Sequence, residues 1–162
     1  MDNEQQPQND VRTGVNFVIT ATDESNVTRF IMQQRDEHSY QYQLHWCLPG
    51  GGQKPEDMND LRNTATREAL DETGIQIPAD VWKELCDRPA HNPGKVFIAA
   101  VPSGTQITKG EGAAMEWKTL AEFKQLMREG VIGYEHEVWL LPELEQYIEA
   151  NTEHLSEFKN KY

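Results

Sequence analysis

The chain has 162 residues, 37% of them apolar, with 27 Asp and Glu against 15 Lys and Arg, for a formal net charge of −12. That length fits one domain whose core needs neither disulfides nor a structural metal. So acidic a chain lacks the clustered cations of a general nucleic-acid binder, and a polyphosphate is hard for it to hold without divalent cations. Cys47 and Cys86 make no disulfide framework, and Cys47, in the apolar run His45-Trp46-Cys47-Leu48, reads as a buried free thiol.

Met1 to Arg12 is polar and acidic, unlike a signal peptide, and reads as a disordered tail. No apolar run approaches the ~18 residues of a spanning helix. The expectation is a cytoplasmic protein with no membrane partner and no nucleic-acid partner. Gly14 to Ala21 and Val27 to Arg35 are rich in β-branched and aromatic residues and predict a hairpin about the turn Thr22 to Asn26. Gln43 to Leu48 predicts a short strand, and Pro49-Gly50-Gly51-Gly52 breaks the pattern. A helix is expected from Asp57 to Thr73, stopped by Gly74 as a left-handed cap.

Downstream, Val96 to Val101 predicts a buried strand and Glu116-Trp117-Lys118 a short edge strand. Leu120 to Arg128 carries helical spacing, and a last helix is expected from Glu135 to Ala150. Leu155 and Phe158 extend its apolar set. Strands mixed with helices, opened by a hairpin, predict a layered α/β domain over residues 13–150, with 151–162 as an extension. The stretch Leu140 to Phe158 either packs on its own core, which is favoured, or makes a homodimer contact.

The chemistry concentrates at the end of the first helix. Glu68, Asp71 and Glu72 stand at i, i+3 and i+4 near a helix C-terminus, where neighbouring like charges and the helix dipole both disfavour them. Met58, Leu61, Ala65 and Ala69 mark the expected core stripe. At about 100° per residue, Glu72 falls within that stripe, Glu68 at its edge and Asp71 outside it. Acids turned inward call for a hard divalent cation. The glycine run one helix away lets backbone approach a ligand without side-chain obstruction.

Gly51 through Ile75, GGQKPEDMNDLRNTATREALDETGI, resembles the Nudix box: Gly, five residues, Glu, seven residues, then Arg-Glu-apolar-x-Glu-Glu-x-Gly-apolar. The match is close at Arg67, Glu68, Ala69, Glu72, Gly74 and Ile75, with Asp71 standing for Glu. The first half departs. With five residues between, Asp57 follows Gly51, and nine residues rather than seven separate it from Arg67. Either two residues are inserted, or the first acid is lost and Asn59 occupies its place. The insertion is preferred because the Pro-Gly-Gly-Gly lead-in aligns with Gly51. Trp46 upstream, and Gly110-Glu111-Gly112 with Glu116-Trp117 downstream, are similar to flanking features of the family.

The resemblance implies the Nudix fold, an α/β/α sandwich with a mixed, curved β-sheet between helices. It implies a hydrolase that uses Mg2+ or Mn2+ to cleave a phosphoanhydride bond in a nucleoside diphosphate-linked compound. Glu68 and Glu72 would be metal ligands, with Asp71 supporting or ligating and Glu68 alternatively the base. Arg67 would orient the acids, the Gly51 carbonyl would add a ligand, and Glu111 would add a ligand or base. Gly50, Gly51 and Gly52 would approach the substrate. His136 is a candidate distant base. The segment after the box lacks the marks of NADH and diadenosine polyphosphate hydrolases, and Pro89 is a weak mark of ADP-ribose hydrolases. The balance favours a small nucleotide such as a (d)NTP. The alternatives are a catalytically weak nucleotide-binding module, a hydrolase of a non-nucleotide diphosphate, and a purely structural acid cluster.

Overall fold

The computed structural model describes residues 13–110 and 112–159, with side chains described as far as Asn151. The expected tail, Glu111 and the side chains of Leu155 and Phe158 lie outside the described residues. Strand β1 (Gly14–Thr22) runs antiparallel to β2 (Thr28–Gln34) at its C-terminal end, where Thr20 faces Phe30. At its N-terminal end β1 pairs instead with β4 (Gly50–Gly52), while the two-residue β3 (Trp46–Cys47) pairs with the end of β2. After helix α1 (Leu61–Thr73) come β5 (Lys83–Asp87) and β6 (Gly94–Ala100). Strand β6 lies parallel to β1 along its length, with β5 antiparallel beyond it. Strand β7 (Ala114–Thr119) lines the far side of β2, and helices α2 (Leu120–Arg128), α3 (His136–Trp139) and α4 (Leu141–Lys159) close the chain.

Alternation along the central strands builds two cores. Val15, Phe17 and Ile19 of β1, with Phe97 and Ala99 of β6, pack on Ala65 and Ala69 of α1. Val18, Val96 and Ile98 face the other way, onto Phe123 of α2 and Leu144 and Ile148 of α4. The result is the expected α/β/α arrangement with a mixed sheet. Leu140, Leu141 and Leu144 are buried in this core, so the first half of the last helix packs within the chain.

Several sequence expectations shift. The glycine run is a strand rather than a simple break: a Cβ on Gly50 would stand 2.1 Å from the Val15 carbonyl oxygen, so only glycine pairs here. The first helix begins at Leu61, not Asp57. Pro55–Asp57 forms a 3-10 turn, and Met58 and Asn59 follow with left-handed backbone, φ 58° and 56°. Asp60 then caps α1 by accepting from the Arg62 N–H at 2.9 Å. Met58 is therefore 79% exposed instead of joining the core stripe. Gly74 caps α1 as expected, with φ 77° and its N–H donating to the Leu70 carbonyl. The last helix is divided at Leu140, because Pro142 has no N–H to carry one continuous ladder from α3 into α4. Strand β5 is an addition. Its Lys, Glu and Asp residues give no apolar alternation, and among named strands it pairs only with β6.

Candidate active site

Arg67 organises the end of α1. Its Nε and Nη2 donate to Asp57 Oδ1 and Oδ2 at 2.9 and 2.8 Å, a two-pronged pairing that matches guanidinium to carboxylate. Its Nη1 donates to Glu68 Oε1 at 2.8 Å, and Nη2 also donates to the Gly52 carbonyl at 3.0 Å. Asp57 is 2% exposed and accepts further hydrogen bonds from the Lys54 N–H and the Thr64 hydroxyl. The hydrogen bonds from Arg67 hold the Asp57 carboxyl well below the usual carboxylate range, against the opposing effect of burial. The partners raise the Arg67 guanidinium in turn.

Glu68 lies directly over β4. A Cβ on Gly51 would sit 2.3 Å from the Glu68 carboxyl carbon, so the bare backbone of Gly51 is what lets the carboxylate settle there. Glu72, one turn on, is 5% exposed, and its charge is felt by the Cys47 thiol of β3. Burial pushes that thiol up to about 12, so Cys47 is a buried, protonated sulfur. Asp71 is exposed. The helix thus turns Glu72 inward and places Glu68 at the edge.

On the other side of β4 opens a cavity of about 300 Å³. Gly50, Gly51 and Gly52 form one wall; Arg35, Arg88 and Tyr134 stand among the others. Neither Glu68 nor Glu72 lines this space. A second hollow of about 420 Å³ shares Asn92 and Tyr134 with the first and adds Tyr42 and Trp139. The Tyr42 and Tyr134 rings lie 4.7 Å apart, and both residues have left-handed backbone, φ 54° and 57°. Non-glycine residues hold this conformation at a cost, which the packed ring cluster offsets.

A family model described as NUDIX domain matches residues 11–140. The chain belongs to the NUDIX domain family. Members of that hydrolase family act on nucleoside diphosphate-linked compounds. No curated protein matches the chain in sequence. Among solved structures, the NUDIX domain of Shewanella oneidensis NrtR, complexed with ADP ribose, is 19% identical with a TM-score of 0.61, covering 85% of this chain and 88% of that one. A binary complex of the Caenorhabditis elegans Ap4A hydrolase is 20% identical with a TM-score of 0.59, covering 86% and 98%. A bifunctional NMN adenylyltransferase/ADP ribose pyrophosphatase from Francisella tularensis, complexed with AMP and a Mn ion, is 15% identical with a TM-score of 0.60, covering 87% of this chain. The chain spans 42% of the length of that protein, and 43% of a MutT/nudix family protein from Enterococcus faecalis. At these identities the likeness shows the fold.

Asp57 is the residue that the insertion alignment sets at the first acid of the Nudix box. It pairs with the box arginine, while the exposed Met58 and the adjoining Asn59 form a left-handed bulge between it and α1. Arg67, Glu68 and Gly51 come together, with Glu72 on the next turn of the same helix. Among the described residues no three His, Cys, Asp or Glu converge as a ready-made metal cage. The donor set is two carboxylates one turn apart beside glycine backbone, all hard oxygen. That suits a magnesium-class ion, which keeps several waters and substrate oxygens in its shell. His136 lies at the start of α3, 1% exposed, and burial, with the Arg88 charge beside it, pulls it down to about 3. So weak a base is poorly matched to accepting a proton near neutral pH. Arg35 and Arg88 went unnoticed in the sequence because no spacing ties them to the box. Only the cavity reveals them. No described helix is long and apolar enough to cross a membrane.

Proposed function

We propose that this Nudix protein is a Mg2+- or Mn2+-dependent hydrolase that cleaves a phosphoanhydride bond of a small nucleotide, with a (d)NTP as the preferred class. The observation that carries the reading is the seat of Glu68. Its carboxylate lies over the side-chain-free Gly51 and is held on one oxygen by Arg67, which is itself fixed by buried Asp57. Such an arrangement leaves the other carboxylate oxygen available and the approach to it clear.

In this reading Glu68 and Glu72 would hold the cation, and the Gly51 carbonyl and Asp71 would supplement them. Bound there, the ion supplies charge neutralisation for the phosphate oxygens and acidifies a water. The protein's own residues do the positioning. Arg67 keeps Glu68 in one rotamer, and Gly50 to Gly52 admit the phosphate chain close to backbone. Water attacks phosphorus, a new P–O bond forms, the bridging P–O bond breaks with the leaving phosphate carrying the electron pair, and the proton shed by the water passes to that phosphate or to solvent. Arg67 and Asp57 remain paired throughout.

The test is release of phosphate or pyrophosphate from nucleoside triphosphates, nucleotide sugars, ADP-ribose and dinucleoside polyphosphates, with magnesium or manganese. Wild type and Glu72→Gln are run in parallel. Turnover abolished in the variant supports the reading and names the substrate. Metal-dependent binding without turnover on the whole panel would make the chain a nucleotide-binding module instead.

A further inference from the structure

The cavity side of β4 carries two cations that no acid balances. Arg67, Arg29, Lys95, Lys118 and Lys124 all find carboxylates within 4 Å. Arg35 and Arg88 find none among the described residues, and neither do Arg62, Arg128, Lys54, Lys83 and Lys109; what sets Arg35 and Arg88 apart is their place at the cavity. Both line the 300 Å³ cavity. Arg88 is braced from one side: its Nε donates to the Asn92 carbonyl at 3.0 Å and its Nη2 to Asn92 Oδ1. Its Nη1 lies over Gly14, 2.7 Å from where a Cβ would stand, and donates to no described residue. Arg35 donates from Nε to the Gln41 carbonyl at 2.8 Å, and its guanidinium stands 5.3 Å from the Tyr134 ring centre.

Strand alternation fixes the relation to the acids. Gly51 pairs with Val15, whose side chain faces α1, and Glu68 meets that same face. Gly14 is the next residue along β1, so its Cβ direction, which Arg88 covers, is the opposite face. Carboxylates and guanidinium therefore flank one glycine strand from its two sides. His136 also lines this cavity, and neither of its ring nitrogens makes a well-formed hydrogen bond among the described residues, the Tyr134 backbone interacting only weakly with the ring. A buried polar group left in that state calls for a partner from outside the chain.

We propose that Arg88 and Arg35 are substrate-binding residues that clasp phosphate oxygens of a nucleotide on the cavity side of β4 without the help of a metal, with His136 offering a further hydrogen-bonding edge beside Arg88. This deepens the hydrolase reading and rests on it. The charges divide the labour: the acids would hold the cation, and oxygens beyond the glycine strand are held by guanidinium directly. A guanidinium fork suits phosphate, and one held in a partly dry cavity without a counter-charge binds it more strongly than one in open water. The ligand must then carry at least a diphosphate, long enough to meet both sets of groups.

The experiment is calorimetric binding of ADP, inorganic pyrophosphate and adenosine in EDTA, to wild type, Arg88→Met, Arg35→Met and Arg88→Lys. Circular dichroism checks each fold. Wild type binds ADP and pyrophosphate without metal. Each Met variant weakens both by roughly ten- to hundredfold, and Arg88→Lys recovers part of the loss. Adenosine, lacking phosphate, shows no such sensitivity. Should Arg88→Met not fold, Arg35→Met and Arg88→Lys carry the test. Equal ADP affinity in wild type and variants overturns the proposal, as does absence of metal-free binding of both phosphate ligands by wild type. Arginine-dependent binding in EDTA without any magnesium-dependent turnover sinks the hydrolase reading alone. Turnover without that binding sinks this one alone.

Discussion

Arg67 and Asp57, ten positions apart, form a two-pronged ion pair at 2.8 and 2.9 Å that ties the 3-10 turn before α1 to the last turns of that helix. The Asp57 side chain is 3% exposed and that of Arg67 18%, so the pair is largely shielded from solvent.

Asp57→Asn leaves Arg67 without its main counter-charge. Breaking one side of a buried pair costs about 3 kcal/mol, which in a chain of this size lowers the melting temperature by roughly 10 °C. Turnover falls as well, because Glu68 loses the anchor of its own partner. Thermal unfolding and kcat/KM on one substrate check both. A variant that melts with wild type would show that the pair contributes no net stability.

His136 makes stability sensitive to acid. Its folded value, about 3, lies below the ~6.5 of an unfolded chain. Between these values the unfolded state takes up a proton that the native state refuses, so stability is full above pH ~6.5 and declines as pH falls toward 3. The slope from this one group approaches about 1.4 kcal/mol per pH unit. His136→Phe keeps a ring against Trp139 and Tyr134 and flattens that decline. Urea midpoints at pH 7, 5.5 and 4 measure it. Parallel curves for the two proteins would refute the assignment.

The three glycines of β4 separate structural from kinetic demand. Gly52→Ala meets nothing within 4 Å and leaves stability near wild type. Gly50→Ala drives a methyl into the Val15 carbonyl and costs at least about 2 kcal/mol. Gly51→Ala displaces the Glu68 carboxylate, a flexible group, so its main effect is kinetic: a loss on the order of a hundredfold in kcat/KM. A Gly51→Ala rate equal to that of wild type would show that the Glu68 seat does not matter to turnover.

Divalent metal separates a binding cluster from a structural one. Magnesium at about a hundred times its dissociation constant stabilises wild type by about 2.7 kcal/mol, or roughly 5–10 °C. Glu72→Gln loses most of that shift. EDTA abolishes turnover and magnesium restores it. A melting temperature indifferent to magnesium, with Glu72→Gln more stable than wild type, would mark the acids as structural.

Much of the site was legible in the sequence because helical geometry carries over from one turn to the next. Glu72 is buried and Asp71 exposed, as 100° steps from Ala65 and Ala69 require. The same reasoning failed at Met58, which lies before the helix: two left-handed residues reset the phase between Asp57 and Asp60. Asp57 could be reached by counting from Gly51, but its burial could not, since that depends on Arg67 folding back across ten positions. Arg35 and Arg88 left no local signal. One follows the last residue of β2 and the other that of β5, and only the pairing of β1 with β4 and β6 brings their surroundings together. Strand β5 escaped notice because four of its five residues are Lys, Glu, Cys or Asp, and no period-two apolar pattern survives.

A strand with no side chains is also the thinnest partition a protein can build. Across β4, a negative and a positive surface face each other through a single layer of peptide groups, like plates on either side of an insulating film. The potential gradient there runs in one direction. In the proposed reading, a diphosphate would meet the acids, through their cation, from one side and the guanidinium groups from the other. Its orientation would then be set by charge before any base or sugar is read.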